Sequence, residues 1–346
     1  MTSLIERLRA RIDLNTGDVQ EAVALLVSDA VTPQTKAEFL TELHRKGETA
    51  SEIAAFVRVL LERAIPLEIQ ENDLAGPILD VCGTGGDGIN LFNVSTAAMF
   101  VLAAGGVTVI KHGNRAVTSL SGSADVLEEL GTVFDLGPEQ LRECVQRLGL
   151  GFVYARSYHP AFRALAEMRR ELANKNQRTI FNLLGPLLNP ARPKRQLVGV
   201  FAPWLTTTFA DVMRQLGRAR AWVVNGLASE SLRMDDVSIV GPTTIAELDG
   251  GRITSAVLDT RWLGIPQASL TDLVGGDARS NAETITQILS AMELGPKRDL
   301  VIVNAAAGFV VAGCAREMNT GIAIAREQID SGRALAKLRA LQNYQV

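Results

Sequence analysis

The sequence predicts an α/β protein: a small, mostly N-terminal α-helical domain ahead of a large α/β domain with a mainly parallel central sheet. Three observations carry this expectation. Residues 1–75 place apolar side chains at helical spacing between helix-start signals. From Pro77 onward, short apolar runs alternate with helix-like stretches, the pattern of βαβ units. Those runs are mostly apolar throughout rather than alternating, as strands covered on both faces are.

In chain order, Leu4, Leu8 and Ile12 fall on one helical face, and Val23, Leu26 and Val27 on another. Thr32-Pro33 reads as an N-cap followed by proline at the first helical position, and Gly47 ends that helix. Thr49-Ala50-Ser51-Glu52 is a capping box opening the next. Strands are expected at 77–82, 107–111, 151–155, 197–201 and 220–225, with helices between them, including 95–104, 123–130 and 158–170. Turn signals at Gly241-Pro242 and Asp249-Gly250-Gly251 divide 237–258 into strands or hairpins, and helices at 279–292, 297–313 and 318–342 close the chain. With no internal repeat or low-complexity linker, the boundary is expected near 75/76. Part of 160–195 completes the helical domain.

Composition narrows the functional classes. A chain of 346 residues can bury one large core and a smaller one, and 47% apolar with 21% charged residues is ordinary globular usage. A net charge of −3 gives no reason to expect a nucleic-acid partner, and the basic run Arg192-Pro193-Lys194-Arg195 reads as a solvated loop. Cys82, Cys144 and Cys314 lack ligand spacing and read as reduced core residues, which fits a cytoplasmic protein. The first residues, MTSLIERLRARIDL, carry charges where a signal peptide has its apolar centre. The most apolar stretch, 300–315, is too short to span a bilayer and is interrupted by Asn304.

The chemistry concentrates in residues 80–131. A strand ends in Gly83-Thr84-Gly85-Gly86-Asp87-Gly88, and a second strand enters the polar loop 111–119. Both loops sit at strand C-termini, where open parallel sheets bind ligands. Glycines such as Gly83 and Gly86 let backbone N–H groups approach an anion, and a following helix N-terminus favours negative charge. Asn93, Ser95, Thr96, Asn114, Arg115, Ser121 and Ser123 add donors, and Lys111 adds a full positive charge. Two donor-rich turns side by side suit a ligand with more than one phosphate. Two ordinary βα turns would use the same glycines and serines for turn and cap work alone.

GTGGD, NVST, KHGNR, SGSADVLEELG and, at 178–190, RTIFNLLGPLLNP resemble the anthranilate phosphoribosyltransferases of the nucleoside phosphorylase-like transferase family, and the likeness runs to IDSGRA near the end. The resemblance implies a phosphoribosyl pyrophosphate donor bound by Gly83, Gly86, Asp87, Asn93, Ser95, Thr96, Lys111, Asn114, Arg115, Ser119 and Ser123. It implies an anthranilate-like aromatic acceptor near Asn114, His112, His159 and Arg169, the arginine pairing with a carboxylate. It implies Mg²⁺ at Ser95, Asp235 and Asp236, adjacent carboxylates at the start of an apolar strand being suitable oxygen ligands. It also implies a homodimer through the helical domain, and positioning and electrostatics rather than a covalent intermediate.

Three positions and one loop depart from the family pattern. Leu91 replaces a hydroxyl residue, Leu120 a lysine and Asn225 a histidine, and the loop between Arg169 and Arg178 is longer. A relative using another aromatic amine or nucleobase therefore stays open, as do a nucleoside phosphorylase and a non-catalytic nucleic-acid-binding relative.

Overall fold

The computed structural model describes residues 1–345 apart from 117–119, 164, 166, 167, 169, 170, 173 and 176. Four helices come first: α1 (Thr2–Arg9), α2 (Thr16–Val27), α3 (Pro33–Lys46) and α4 (Ala50–Glu62). Local chemistry sets their ends. Thr32 caps α3 ahead of Pro33, and Asn15 and Thr49 open α2 and α4 through reciprocal capping boxes with Asp18 and Glu52. Leu4 and Leu8 are buried as expected, but α1 ends at Arg9 and Ile12 lies outside it, 48% exposed. Arg11, at φ +56°, breaks the helical path before Ile12 can join the buried face.

The sheet follows the order β3-β2-β1-β4-β5-β7-β8, where β1 is Ile78–Gly83, β2 Thr108–Gly113, β3 Leu150–Tyr154, β4 Arg195–Gly199, β5 Arg220–Leu227, β7 Thr243–Asp249 and β8 Arg252–Leu258. The first five of these, β3 to β5, run parallel, and β7 and β8 add antiparallel strands at the β5 side. A two-residue strand, β6 (Arg233–Met234), pairs with the end of β5. The chain moves outward from β1 to β3 and then returns to the opposite side of β1 with β4. The β1/β4 seam is therefore the topological switch point, where such sheets leave a crevice at the strand C-termini.

Helix α5 (Val94–Ala104) and the helix Pro296–Ala312 are buried almost all round, which explains their lack of a polar face. They pack together in one apolar core with β1–β3 and the C-terminal helices. The latter are two helices rather than the single one expected at 318–342: Met318–Asp330 and Arg333–Gln342 are divided at Gly332, whose φ is +75°. In a second core, α1–α4 share apolar contacts with Leu165, Met168, Leu172 and Ile180–Leu188, and with the sheet residues Val198, Val223 and Leu248. Strands β2 and β3 are joined through α6 (Ser123–Glu129) and α7 (Pro138–Leu148). The stretch expected as one helix at 158–170 breaks between α8 (Ala155–Tyr158) and α9 (Pro160–Arg163), because Pro160 cannot continue the hydrogen-bond ladder.

The helical segment is pinned by a buried carboxylate. Glu52 is fully buried; its Oε1 accepts from Leu14 N at 2.9 Å, and its Oε2 from Thr49 N at 2.9 Å and Lys46 Nζ at 2.8 Å. Removing Glu52 leaves Leu14 N and Thr49 N without their acceptor and Lys46 with Asp13 as its one remaining carboxylate partner. Glu52→Ala is expected to lower the free energy of unfolding by about 3 kcal/mol. Urea denaturation followed by circular dichroism checks this, and a loss below about 1 kcal/mol would contradict the pinning role.

Candidate active site

The crevice is built from the ends of β1, β4 and β5 and the acidic turn that follows β6. Gly83 ends β1 and Gly199 ends β4, directly paired across the seam. Asp235 lies on both. A Cβ on Gly83 would stand 2.1 Å from Asp235 Oδ2, and one on Gly199 would stand 1.5 Å from Asp235 O. Gly83 therefore makes room for a carboxylate, a use different from the expected close approach to a phosphate. The expectation that Asp235 and Asp236 open an apolar strand is also corrected. They follow β6, and no strand begins at Val237. Asn304, the polar break in the apolar helix, holds that segment instead: its Oδ1 accepts from Val237 N at 2.9 Å, and its Nδ2 donates to Val237 O at 3.0 Å.

The glycine-rich loop is anchored to the same turn. Gly85 N donates to Asp235 Oδ2 at 2.7 Å, Thr84 N to Gly199 O at 2.9 Å, and Ile89 N to Asp87 Oδ1 at 3.0 Å. Gly85, Gly86 and Gly88 all have positive φ, between +64° and +76°, so the loop's path requires glycine. Burial, then the neighbouring Asp235 charge, push Asp87 up to about 7. Burial likewise raises Asp235, and burial followed by the charges of Asp235 and Asp87 raises Asp236 well above the usual carboxylate range.

Lys111 does not offer the expected free charge at the end of β2. It is 2% exposed, with Nζ donating to Val81 O and to Ser95 Oγ at 3.0 Å. Its ammonium faces inward and offsets the buried carboxylates of Asp80, Asp235 and Asp236. The crevice thus gathers three carboxylates around one buried ammonium. That imbalance, with the hydroxyl of Ser95 close by, fits a hard divalent cation. Among the described residues no group of three or more His, Cys, Asp or Glu side chains is arranged to enclose a metal ion. Mg²⁺ does not require one, since it commonly keeps waters and takes one or two carboxylates alongside substrate phosphates.

The second loop departs further from expectation. Asn114 is engaged locally, its Oδ1 accepting from Arg115 N at 2.9 Å. Arg115 is no free phosphate donor: its guanidinium binds Asp125 at 2.9 Å and Glu128 at 2.7 Å, and lies over Phe134. Asp125 rather than Ser121 or Ser123 caps α6, its Oδ2 accepting from Ala116 N and Gly122 N. The Ser123 hydroxyl points to Asn114 O at 3.4 Å. Asn93 exchanges hydrogen bonds with Ser121 and receives one from Asn281 Nδ2 at 3.1 Å. Thr96 is fully buried, its hydroxyl lacking a hydrogen-bond partner. Ser119 lies outside the described residues. Leu91 forms a β-bridge with Val274, and Leu120 is 62% exposed. Asn225 is fully buried, with Nδ2 donating to Val200 O at 2.7 Å.

Beside this crevice His112 and His159 meet edge-on, their ring centroids 5.4 Å apart. Each is almost fully buried and each has an Nε2 with no hydrogen-bond partner. His112 Nδ1 lies 3.0 Å from Gly185 O, which fixes the proton on Nδ1 and leaves Nε2 an acceptor. His159 is stacked on Phe162. Gly185 thus orients the His112 ring, and His112 N is itself held by Asp80 Oδ1 at 3.1 Å. Burial lowers His112 to about 3, helped by His159, and lowers His159 to about 4. The result is a pair of neutral imidazoles beside an anion-and-cation crevice. Arg169, expected nearby, lies outside the described residues.

The α/β sheet thus carries a crevice at its switch point, with an acidic turn and a neighbouring pair of neutral imidazoles, and the chain belongs to the glycosyl transferase family. The family's a/b domain matches residues 75–335, and its helical bundle domain matches residues 2–64. Over 341 residues the chain is 42% identical to the anthranilate phosphoribosyltransferase of Alkaliphilus metalliredigens, spanning 99% of this chain and 97% of that one. The Moorella thermoacetica enzyme of the same name is 44% identical over 338 residues, 97% of this chain and 96% of that one. The crystal structure of anthranilate phosphoribosyltransferase from Thermus thermophilus superimposes with a TM-score of 0.88 at 38% identity, covering 98% of each chain. The Saccharomyces cerevisiae enzyme in complex with PRPP and Mg gives 0.86 at 26% identity, covering 98% of this chain and 96% of that one.

The histidine pair makes a pH prediction. As pH falls below 6.5, the unfolded chain binds protons on both imidazoles that the folded chain refuses until about 4 for His159 and 3 for His112. Stability is therefore lost through that window, by roughly 1 kcal/mol per pH unit for each histidine. The double variant His112→Asn/His159→Asn is expected to lose stability less steeply than the parent between pH 6.5 and 4.5, with parallel behaviour above pH 7.5. Equal slopes in urea titrations across that range would contradict the buried neutral pair.

Proposed function

We propose that the chain transfers the 5-phosphoribosyl group of phosphoribosyl pyrophosphate to the amine of anthranilate, releasing pyrophosphate, as a step of tryptophan biosynthesis. The observation that carries this reading is the adjacency of two unlike sites along one sheet edge. An acidic, glycine-lined turn stands at β1 and β4, and a neutral imidazole pair stands at β2. A polyanionic donor with its cation, and an aromatic amine that must stay unprotonated to attack, call for that division.

In this reading the C–O bond between ribose C1 and pyrophosphate breaks, the amine nitrogen forms a C–N bond at C1, and the amine loses one proton. Nothing in the site needs to form a covalent intermediate. Gly86, Asn93, Ser95 and Asn114 line the donor, and Asp87, near neutral pH in its ionisation, is suited to a ribose hydroxyl. The free Nε2 atoms of His112 and His159 accept hydrogen bonds from the amine and orient its lone pair toward C1. Arg169 pairs with the acceptor carboxylate. Asp235, Asp236 and Ser95 hold Mg²⁺, which when bound neutralises charge on the departing pyrophosphate. A cytoplasmic homodimer joined through α1–α4 completes the proposal.

Mixing the protein with phosphoribosyl pyrophosphate, Mg²⁺ and anthranilate and following anthranilate fluorescence tests the reading. A saturable, Mg²⁺-dependent loss is expected. A constant signal, with donor binding still seen by calorimetry, would overturn anthranilate as the acceptor.

A further inference from the structure

The glycine-rich loop has three left-handed glycines, at 85, 86 and 88, with nothing within 4 Å of a Cβ built on any of them. Its sequence therefore supplies freedom and little shape. Three of its anchors come from the α/β domain itself: Gly199 O, the Asp235 carboxylate and the Asp87 side chain. A fourth reaches in from elsewhere. Arg178 Nη2 donates to Gly86 O at 2.7 Å, while the guanidinium carbon sits 3.9 Å from the centre of the Phe201 ring.

Both ends of that contact are fixed. Phe201 N donates to Thr84 Oγ1 at 3.1 Å, so the ring beneath the guanidinium is tied to the first residue of the loop that the guanidinium grips in the middle. On the other side, the neighbouring Gln177 donates from Nε2 to Thr41 Oγ1 on α3 at 2.6 Å. The positive charge of Arg178 also reaches His44 on the same helix. The grip on Gly86 thus originates in a segment docked on the helical domain.

We propose that Arg178 is a positioning residue that shapes the Gly86 turn for the donor and transmits the placement of α3 to it. The proposal rests on the reading of this loop as the donor site. A planar guanidinium can lie on Phe201 and donate to a carbonyl in one fixed geometry, whereas an ammonium is a point charge with no plane or fork to set that geometry. The role is therefore separable from mere positive charge near a phosphate.

The test is calorimetric titration of phosphoribosyl pyrophosphate, with Mg²⁺, into the full chain and its variants, alongside steady-state rates and thermal melts. Arg178→Ala is expected to weaken donor binding about tenfold, with kcat at saturating donor within about twofold. Phe201→Leu should weaken it about threefold, and the double variant no more than Arg178→Ala alone, because the two act as one unit. Arg178→Lys should recover little. Parental affinity in Arg178→Ala overturns the proposal. So does full recovery in Arg178→Lys with a silent Phe201→Leu, the signature of direct charge contact. If the parent binds no donor, the reading of the site fails, and this proposal with it. If the parent binds and Arg178→Ala matches it, only this proposal fails.

Discussion

The organisation of the crevice depends on one steric permission: a turn carrying two carboxylates lies directly against the ends of adjacent parallel strands. Gly83 and Gly199 grant it at β1 and β4, and Gly226 does the same at β5, where a Cβ would stand 2.6 Å from Asp236 O. A side chain at Gly199 or Gly226 would meet the backbone of the turn and push it off the sheet edge, whereas one at Gly83 would meet the Asp235 carboxylate. With glycine, backbone and carboxylate come close enough for Gly85 N to be captured by Asp235. Asn304 closes the arrangement from below by gripping both polar groups of Val237.

Close packing of acids carries an electrostatic consequence that shapes everything around it. Asp80, Asp87, Asp235 and Asp236 are all raised, chiefly by burial. Lys111 is drawn inward to oppose them, which removes it from the surface of the loop it belongs to. Arg218 joins from the far side through Gln196, and burial brings its pKa down to about 10. The histidine pair lies just beyond this charged region and is kept neutral by burial. Carboxylates outnumber the one ammonium that faces them on one side of the crevice, while the neighbouring imidazoles carry no charge.

Much of the fold was legible because the signals are local. Capping boxes, Pro33, Gly47 and the all-apolar runs mark helices and strands without reference to anything distant. The boundaries that escaped, at Ile12, Pro160 and Gly332, turn on single backbone angles or on one proline within otherwise helical spacing. For the site, motifs located the loops but did not reveal which partners their side chains take. Arg115 reads as a phosphate donor until Glu128 and Asp125 are seen to face it from the next helix, one turn apart. The i, i+3 spacing of those acids was a usable signal. Asn304 was visible as a polar break in an apolar run, yet its partner, 67 residues away, was not. Glycine at 199 and 226 gave no hint, because what fills the space beside them comes from a segment distant in sequence.

The most direct test of this account is the Mg²⁺ dependence of donor binding in Gly83→Ala. The added methyl group meets the Asp235 carboxylate rather than backbone, so the fold is kept while the carboxylate is displaced. Calorimetry with phosphoribosyl pyrophosphate, with and without Mg²⁺, should show strong Mg²⁺ dependence in the parent and its loss in the variant, with the far-UV circular dichroism spectrum of the parent retained. The same Mg²⁺ dependence in both proteins would contradict the claim that the glycine-seated acidic turn forms the cation site.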